Sequence, residues 1–404
     1  MRLPQSDRPL VSIVVLLRAG AGLAERALGA IAAAHDPKIP AEVVTVVNTV
    51  DPATRRLVTD EQIGARPILR DVNTGTAPGW NLGFEAARGR YVALLHEDSA
   101  PEPDWLRPLV TALEEHPHAA TAGSRLLHPD GRVQGGGIIA WRDGDVTWIR
   151  PDNAPGTMSG DEPYAISHAS SAAMLVDREA WSAVGGFDER YFPAFRVEVD
   201  FGLALWSMGR AAISVPISLV RHDLGAMHQG DFDPLKSKAF RWFLQERNRQ
   251  RFLEKWSANL SLLAPLPEGP RNTADAVEPV LARLQERAER PAPAALEVAA
   301  RPFTGPGVSD MDRRLEAAHR EVRDEFFSWL VVDLERAREE LDRERAEARR
   351  RSGVIERARA DASVRAAEAQ RTEQRIEELE AAVKDWGPQI GRRFRKLLRT
   401  WMTR

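Results

Sequence analysis

The sequence feature that most constrains the fold is the stretch YVALLHEDSAP at residues 91–101. Its first five residues are apolar and rich in strand formers, which is typical of a short strand buried on both faces. Four polar residues follow at 96–99, and prolines at 101 and 103 end the strand near the start of a helix. Polar side chains therefore gather at the carboxyl end of a central strand, where open α/β sheets bind ligands.

Two interpretations of this polar turn remain open from its residues alone. An oxygen ligand such as Asp98 suits Mg²⁺ or Mn²⁺, and such ions usually also hold substrate phosphates. Alternatively, the turn is a solvated acidic cap of the next helix, since short acidic loops are common at helix starts.

Strand-like and helix-like segments alternate along the first part of the chain. Apolar strand-like segments at 11–17, 41–48 and 66–69 are separated by helix-like segments at 21–34 and 51–63. This alternation predicts an α/β fold with a Rossmann-like, mostly parallel sheet and helices on both faces. Beyond Ala119 the turn signals favour strands and hairpins, followed by a helix from about Val197 to Met208 and a long basic and aromatic helix that ends near Trp256.

The composition changes near residue 260, and we place a domain boundary there. Residues 1–260 are predicted to form the α/β domain, with 261–309 as a Pro-rich linker carrying short helices. Residues 310–386 are charged, helical and coiled-coil-like, and residues 387–404 form a basic amphipathic tail. One apolar seam repeats with heptad spacing from Leu334, but the second seam is poor. A homodimer through 330–383 and a solvated single helix are both compatible with this pattern.

The overall composition excludes several classes. There are 56 Lys and Arg against 59 Asp and Glu, so a net charge of −3 gives no general attraction to nucleic acid. The absence of cysteine excludes disulfides and thiolate metal sites. No uninterrupted apolar stretch reaches the length of a transmembrane helix, about 18 residues or more. The polar N-terminus leads directly into a strand, so no signal peptide is expected and the expected location is the cytoplasm.

The tail is predicted to contact the inner face of an anionic membrane. Its apolar residues fall at helical spacing, and six cations accompany them with no acid between. An interfacial helix needs this combination. A short helix docked on the catalytic domain or on a partner is the alternative. The apolar residues are Ile390, Phe394, Leu397, Leu398 and Trp401.

Several separate segments, in order, resemble the family 2 glycosyltransferases. VSIVVLL, EVVTVVN and NTGTAPGWNLGFEAARGRYVALLHEDSAP resemble the nucleotide-sugar-binding half, residues 1–118. AAMLVDREAWSAVGGFDERYFPAFRVEVDFGLAL, LVRHDLG and ERNRQRFLEKW resemble the acceptor half, residues 119–260. The resemblance covers roughly Val11 to Trp256. It implies the GT-A fold, a nucleoside-diphosphate-sugar donor, a divalent metal (Mn²⁺ or Mg²⁺) and inversion at the anomeric carbon.

On the donor side, the resemblance assigns Asp98 to the metal and to the donor diphosphate. His96 and Glu97 replace the residues that the family more commonly has before this Asp. Asn48 stands where the family usually has an Asp that contacts the nucleoside, and its amide offers both a donor and an acceptor.

A second donor-side stretch contains Asn73, Gly75, Asn81 and Gly83, which match the family's region flanking the donor site. For the glycines, turn and helix-packing roles are the alternative to a ligand-binding role.

On the acceptor side, Glu198 matches the family's catalytic position and is predicted to be the general base. Asp200 matches a second acid, with a supporting role such as capping the helix or holding the preceding loop GGFDE, residues 185–189. From the residues alone, both acids could instead complement the helix dipole. The resemblance assigns His222 to the metal site, and His228 is a weaker candidate.

The predicted function is an inverting glycosyltransferase acting in cell-surface glycan, cell-wall or polysaccharide synthesis, with a glycan or lipid-linked acceptor. The alternative is a non-catalytic GT-A-like binding or scaffold protein that works through its helical tail. A sugar nucleotidyltransferase is a third and poorer interpretation. Such an enzyme needs a Gly-rich phosphate loop after the first strand, where LLRAGAG has only two spaced glycines.

Overall fold

The computed structural model describes residues 1–48, 51–152, 160–223, 237–290 and 308–351, together with 368–375, 377–378 and 381. The chain forms two compact units, one from Met1–Gly230 with Arg247–Glu316 and one from Asp231–Glu246 with Ala317–Arg404. The predicted tail, His228 and part of the heptad seam lie outside the described residues.

Twelve strands and nine α-helices are found in the described part of the chain. The strands are β1 (Val11–Leu17), β2 (Ala41–Val47), β3 (Arg66–Leu69), β4 (Tyr91–His96), β5 (Ser99–Pro101), β6 (Ala119–Leu127), β7 (Val133–Gly135), β8 (Ile138–Ala140), β9 (Val146–Trp148), β10 (Tyr164–Ile166), β11 (Ala173–Asp177) and β12 (Ala211–His222). The helices are α1 (Ala21–Ala34), α2 (Pro52–Thr59), α3 (Thr76–Ala86), α4 (Leu106–Glu115), α5 (Arg178–Ala183), α6 (Val197–Ser207), α7 (Lys238–Lys255), α8 (Ala274–Glu289) and α9 (Val308–Arg351).

The main sheet has the order β10-β12-β6-β11-β4-β1-β2-β3. Strands β3, β2, β1 and β4 are parallel to one another, as the strand and helix alternation predicted. Strand β11 runs antiparallel between β4 and β6, while β6 and β12 are parallel. The sheet is therefore mixed, and its first four strands along the chain form the parallel half.

Apolar cores lie on both faces of this sheet. Successive side chains of a strand point to opposite faces, so Val14 and Leu16 pack with α3 and α6 residues, while Ile13, Val15 and Leu17 pack with α1 and α4 residues. All of these strand side chains are buried. The predicted α/β fold with helices on both faces is confirmed.

The predicted boundary near residue 260 does not coincide with a break in packing. Helix α8, in the segment predicted to be a linker, buries Val277, Leu281 and Leu284 in the core that also contains Trp256 and Leu263. The prolines of this region gave a linker-like composition, but an amphipathic helix between them completes one face of the first unit.

The second unit is built around aromatic side chains. Phe326 of α9 lies 5.0 Å from the ring of Phe240 and 5.2 Å from that of Phe243, measured between centroids. Arg375 lies over the Trp242 ring, 5.4 Å from its centroid, so the segment 368–375 of this unit packs against α7. Association of two copies through 330–383 stays a prediction.

None of the helices in the described ranges is long and apolar enough to cross a membrane.

Candidate active site

The sheet brings Asp98 and His222 together at one edge. Strand β5 pairs antiparallel with β12, with Ser99 opposite His222. The Asp223 amide also donates to the Asp98 main-chain oxygen at 2.9 Å. As a result, Nε2 of His222 lies 3.4 Å from Oδ1 of Asp98. Both side chains are buried, and their proximity is the one that the sequence analysis predicted.

His96 joins this pair. Its Nδ1 lies 3.8 Å from Oδ1 of Asp98, and its ring meets the His222 ring edge-on at 5.9 Å between centroids. The His96 ring also stacks on the fully buried Trp80 at 6.0 Å. One ligand atom from each of His96, Asp98 and His222 lies within 4.8 Å of the other two. Two imidazole nitrogens and a carboxylate oxygen in this arrangement fit a divalent metal ion.

His96 was not among the metal ligands predicted from the sequence. The signal was present, because a histidine two residues before Asp98 shares its strand end. His96 was interpreted instead as a replacement for the residue that the family more commonly has at this position.

Gln134 fixes the tautomer of His222. The Gln134 amide nitrogen donates to the His222 main-chain oxygen at 3.2 Å, so its oxygen faces Nδ1 of the ring at 2.7 Å. An amide oxygen accepts, which puts the ring proton on Nδ1 and leaves the lone pair of Nε2 toward Asp98. No sequence motif pointed to Gln134, which lies on the short strand β7.

Glu198 is connected to the cluster of His96, Asp98 and His222 through the side chain of Ser171. The Ser171 hydroxyl donates to Oε1 of Glu198 and is also 3.0 Å from Nε2 of His96. Burial raises the pKa of the Glu198 carboxyl, and the hydrogen bond from Ser171 partly opposes that rise. A carboxylate with a raised pKa, beside a candidate metal site, is suited to accept a proton near neutral pH.

A tight turn sets the direction of Glu198. Phe195 and Arg196 both have left-handed backbone conformations, with φ of 72° and 67°, immediately before α6 begins. The amide nitrogen of the fully buried Asn248 on α7 donates to the main-chain oxygens of Tyr191 and Ala194 at 2.9 and 2.7 Å. Helix α7 therefore holds the turn from which the Glu198 helix starts.

Asp200 points into the protein. Its Oδ1 accepts from the Tyr191 hydroxyl at 2.9 Å and from the Trp256 indole at 2.7 Å. Its Oδ2 accepts from the Lys255 ammonium, which also reaches Asp188 of the GGFDE loop at 2.9 Å. Side chains two apart on a helix differ in direction by about 200°. Asp200 is therefore held by buried donors and anchors the loop before α6, and its predicted role beside Glu198 stays a prediction.

Asn48 and Asn73, the asparagines predicted to lie near the donor, both stabilise the loop between β3 and α3. Oδ1 of Asn48 accepts from the Thr74 hydroxyl at 2.9 Å, and Oδ1 of Asn73 accepts from the Gly75 amide at 2.9 Å. Gly75 has φ of 67°, and a Cβ there would come 2.7 Å from the Pro193 main-chain oxygen. Contact of these groups with a donor stays a prediction.

Asn81 and Gly83 lie inside the protein. The Asn81 amide is fully buried, accepting from the Phe187 amide and donating to the Phe187 main-chain oxygen, both at 2.9 Å. A Cβ on Gly83 would come 2.2 Å from Val14, so this glycine lets α3 approach β1. The observed role of Asn81 is to hold the GGFDE loop, and its predicted contact with a donor has no support in these hydrogen bonds.

Glu97 is a further buried acid that the sequence analysis left without a role. Its two carboxylate oxygens accept from the main-chain amides of Arg18 and Ala19 at 2.9 and 2.8 Å. Burial raises the pKa of Glu97 to about 7, although these hydrogen bonds lower it. The side chain ties the loop after β1 to the strand end that carries Asp98.

Similarity to known proteins agrees with this fold. The structure resembles that of GalNAc-T7, solved with UDP, GalNAc and Mn²⁺, with a TM-score of 0.50 and 14% identity over 70% of this chain and 54% of that one. The fold is therefore the GT-A fold of nucleotide-sugar transferases. Residues 12–181 match the model of glycosyl transferase family 2, so the resemblance predicted from the sequence is confirmed over this segment.

Two relatives carry more specific names. An O-antigen biosynthesis protein of Myxococcus xanthus is 28% identical over 160 residues, which are 38% of this chain and 12% of the relative. An N-acetylglucosaminyl-diphospho-decaprenol L-rhamnosyltransferase of Mycobacterium tuberculosis is 30% identical over 191 residues, 39% of this chain and 59% of the relative. The chain thus spans less than two thirds of the length of either relative.

Proposed function

We propose that this protein is a metal-dependent, inverting glycosyltransferase that moves a sugar from a nucleoside-diphosphate donor to a hydroxyl of a glycan or lipid-linked acceptor. The observation that carries the proposal is the placement of Glu198 beside the cluster of His96, Asp98 and His222. Single displacement needs one group to neutralise the leaving diphosphate and another to take the acceptor proton. The site offers both groups: the metal ligands lie at the ends of strands, and Glu198 lies in the first turn of helix α6.

In this mechanism, His96, Asp98 and His222 would hold a divalent ion, which when bound would supply positive charge to stabilise the leaving diphosphate. Glu198 accepts the proton of the acceptor hydroxyl as the new glycosidic bond forms. Asp200 takes no part in the chemistry, because its oxygens are engaged by Lys255 and other buried donors.

The chemistry of the ligands favours Mn²⁺ over Mg²⁺ as the ion. Two of the three ligands are imidazole nitrogens, whereas Mg²⁺ is bound almost entirely by oxygen. Asn48 directly follows strand β2, and Asn73 lies in the loop after strand β3. We assign both side chains to the nucleoside side of the donor.

The names of the relatives favour a role in cell-surface glycan synthesis. One is named for O-antigen biosynthesis and the other for rhamnosyl transfer to a diphospho-decaprenol. A polyprenol-linked acceptor would also suit the basic tail at 387–404, which would bring the enzyme to the inner face of the membrane.

The deciding experiment is a mass-detected screen of sugar nucleotides for transfer and donor hydrolysis, with Mn²⁺, with Mg²⁺ and with chelator. We expect turnover with one donor class, stronger with Mn²⁺ than with Mg²⁺ and abolished by chelator. The Glu198→Gln protein is the matched control. Binding of nucleoside diphosphates without turnover of any donor would instead favour the non-catalytic scaffold function.

The membrane contact of the tail is tested by flotation with anionic vesicles. We expect the full chain to float and a chain lacking residues 388–404 to remain in the soluble fraction, because the cations and apolar residues of the tail are lost together. Neutral phosphatidylcholine vesicles are the control. Equal flotation of the two proteins on anionic vesicles would reject the tail as the contact.

A further inference from the structure

We infer that the Ser171 hydroxyl is a positioning group that joins the general base Glu198 to the metal ligand His96, so that metal affinity and base orientation depend on one side chain. This inference rests on the proposed transferase function. Ser171 is 1% exposed and lies in the turn just before β11. No motif in the sequence marks it.

The direction of the hydrogen bonds follows from the chemistry of the three groups. An ionised carboxylate only accepts, and the Ser171 hydroxyl donates its single proton to Oε1 of Glu198. Toward His96, at 3.0 Å, the serine oxygen must therefore accept, and Nε2 of His96 must donate.

This direction decides which nitrogen of His96 can bind metal. A neutral imidazole carries one proton, so a proton on Nε2 leaves a lone pair on Nδ1. Nδ1 is the nitrogen that lies 3.8 Å from Oδ1 of Asp98 in the metal-ligand cluster. Ser171 thus has the same part for His96 that Gln134 has for His222: each partner holds the proton on the nitrogen that faces away from Asp98.

The backbone keeps these groups in register. Strand β11 pairs antiparallel with β4, and the His96 amide donates to the Ala172 main-chain oxygen at 3.3 Å. The serine and the histidine are consequently held by the same ladder. Glu198 comes from α6, outside this ladder, and the Ser171 hydroxyl is the group that connects its carboxylate to His96.

The test compares Ser171→Ala with Ser170→Ala. Ser170 is the adjacent serine, and its hydroxyl accepts from the Ala172 amide at 3.2 Å. Mn²⁺ affinity is measured by electron paramagnetic resonance without substrate, the His96 tautomer by ¹⁵N NMR of the metal-free protein, and turnover at saturating donor. Loss of an outer partner of a metal ligand typically costs about 10–100-fold in affinity or activity.

We expect Ser171→Ala to bind Mn²⁺ about tenfold more weakly, to lose the single Nε2-protonated signal of His96, and to turn over at least about tenfold more slowly. Ser170→Ala should match the wild type in all three. In a His96→Ala background, Ser171→Ala should cause no further loss of Mn²⁺ affinity, because the serine acts through His96.

Two failures are distinguishable. If the wild type turns over a donor but Ser171→Ala keeps wild-type Mn²⁺ affinity and the wild-type His96 signal, the Ser171 link is wrong and the transferase function stands. If no donor is turned over, the function is wrong, and the Mn²⁺ and NMR measurements still decide the link. Should Ser171→Ala fail to fold by circular dichroism, Ser171→Cys, a weaker donor of similar size, replaces it with a smaller expected loss in the same direction.

Discussion

At the residue scale, the two acids at the start of α6 differ in what surrounds them. Glu198 is half-buried with the Ser171 hydroxyl as its partner, whereas Asp200 is 3% exposed and is bonded to Tyr191, Trp256 and Lys255. Burial raises the pKa of the Asp200 carboxyl, but the Lys255 ammonium beside it opposes that rise. Substitutions that neutralise these two acids should therefore affect different properties of the protein.

Neutralising Glu198 should stop the chemistry, and neutralising Asp200 should weaken the fold. We expect Glu198→Gln to bind donor normally and to lose turnover by about 10²–10⁴-fold, the usual effect of losing a general base. We expect Asp200→Asn to lower the free energy of unfolding by about 1.5–3 kcal/mol, because Tyr191, Trp256 and Lys255 lose hydrogen bonds to a buried charge, although Lys255 keeps Asp188. Donor binding, turnover and chemical denaturation measure the three quantities. If Asp200→Asn lost turnover while its donor binding and stability stayed intact, and Glu198→Gln remained active, the assignment would be wrong. Asp200 would then be the general base.

Gln134 gives a second test at this scale. Removing its amide in Gln134→Ala should weaken Mn²⁺ binding by about 10–100-fold, because Nδ1 of His222 then no longer has the acceptor that fixes its proton. Titration of Mn²⁺ by calorimetry measures this change. Gln62→Ala, at an exposed position, is the matched control and should bind Mn²⁺ as the wild type does. An unchanged affinity in Gln134→Ala would exclude this tautomer argument.

At the scale of elements, helix α7 supports the site without contributing a ligand. Its Asn248 amide caps main-chain oxygens in the turn before α6, and Arg247 reaches the Phe192 oxygen at 3.0 Å. Lys255, near the end of α7, pairs with Asp188 and Asp200. One helix thus fixes both the GGFDE loop and the start of the Glu198 helix.

Asn248→Ala should separate this support from the chemistry. The buried oxygens of the turn lose their donor, so we expect the free energy of unfolding to fall by about 1–3 kcal/mol. Turnover should fall more than metal-dependent donor affinity, since the turn leads directly into the Glu198 helix, whereas the cluster of His96, Asp98 and His222 lies on other elements. Denaturation and steady-state kinetics measure both effects, with Asn272→Ala at an exposed position as the control. Wild-type turnover in a destabilised Asn248→Ala would limit α7 to a purely structural role.

At the scale of the whole molecule, the first unit contains a buried histidine that makes its stability depend on pH. His168 is 6% exposed, and its Nδ1 lies 3.1 Å from the Ala169 oxygen, to which it donates. It also lies against Gly202 of α6, where an added Cβ would come 2.7 Å from the His168 Cβ. Burial lowers the pKa of His168 from 6.5 to about 4.

The sign of the pH effect follows from this shift. Between pH 6.5 and about 4, the unfolded chain binds a proton at this residue and the folded protein does not. Stability is therefore lost as the pH falls through this window, by on the order of 3 kcal/mol for a shift of this size. We expect His168→Asn, which keeps a donor for Ala169, to lose less stability than the wild type between pH 7 and pH 4. Denaturant melts at each pH measure the difference.

His118→Asn, at an exposed position, is the control for this measurement and should follow the wild type. Identical pH dependence in His168→Asn and the wild type would show that folding does not shift the pKa of His168, contrary to the effect expected from its burial.

Much of the fold and part of the site were predictable because they depend on short-range patterns. Apolar runs and helical periodicity define the strands and helices within a few residues of their own sequence. The end of β4 places Asp98 at the ligand-binding edge of the sheet, and the resemblance to family 2 glycosyltransferases added His222 and Glu198. Helix α8 was missed as part of the core, since prolines around it resemble a linker in composition while its buried face depends on residues far away in the chain.

Tertiary structure alone decided the partners that make the site work. Ser171 lies 75 residues from His96 in sequence, and Gln134 lies 88 residues from His222. Serine and glutamine are common surface residues, and no local pattern distinguishes one that holds a histidine proton from one in solvent. The same holds for Asp200, which became a structural acid through Lys255, 55 residues further on. Sequence determined which chemistry was present at the strand ends, whereas strand register and helix packing determined which of those groups meet.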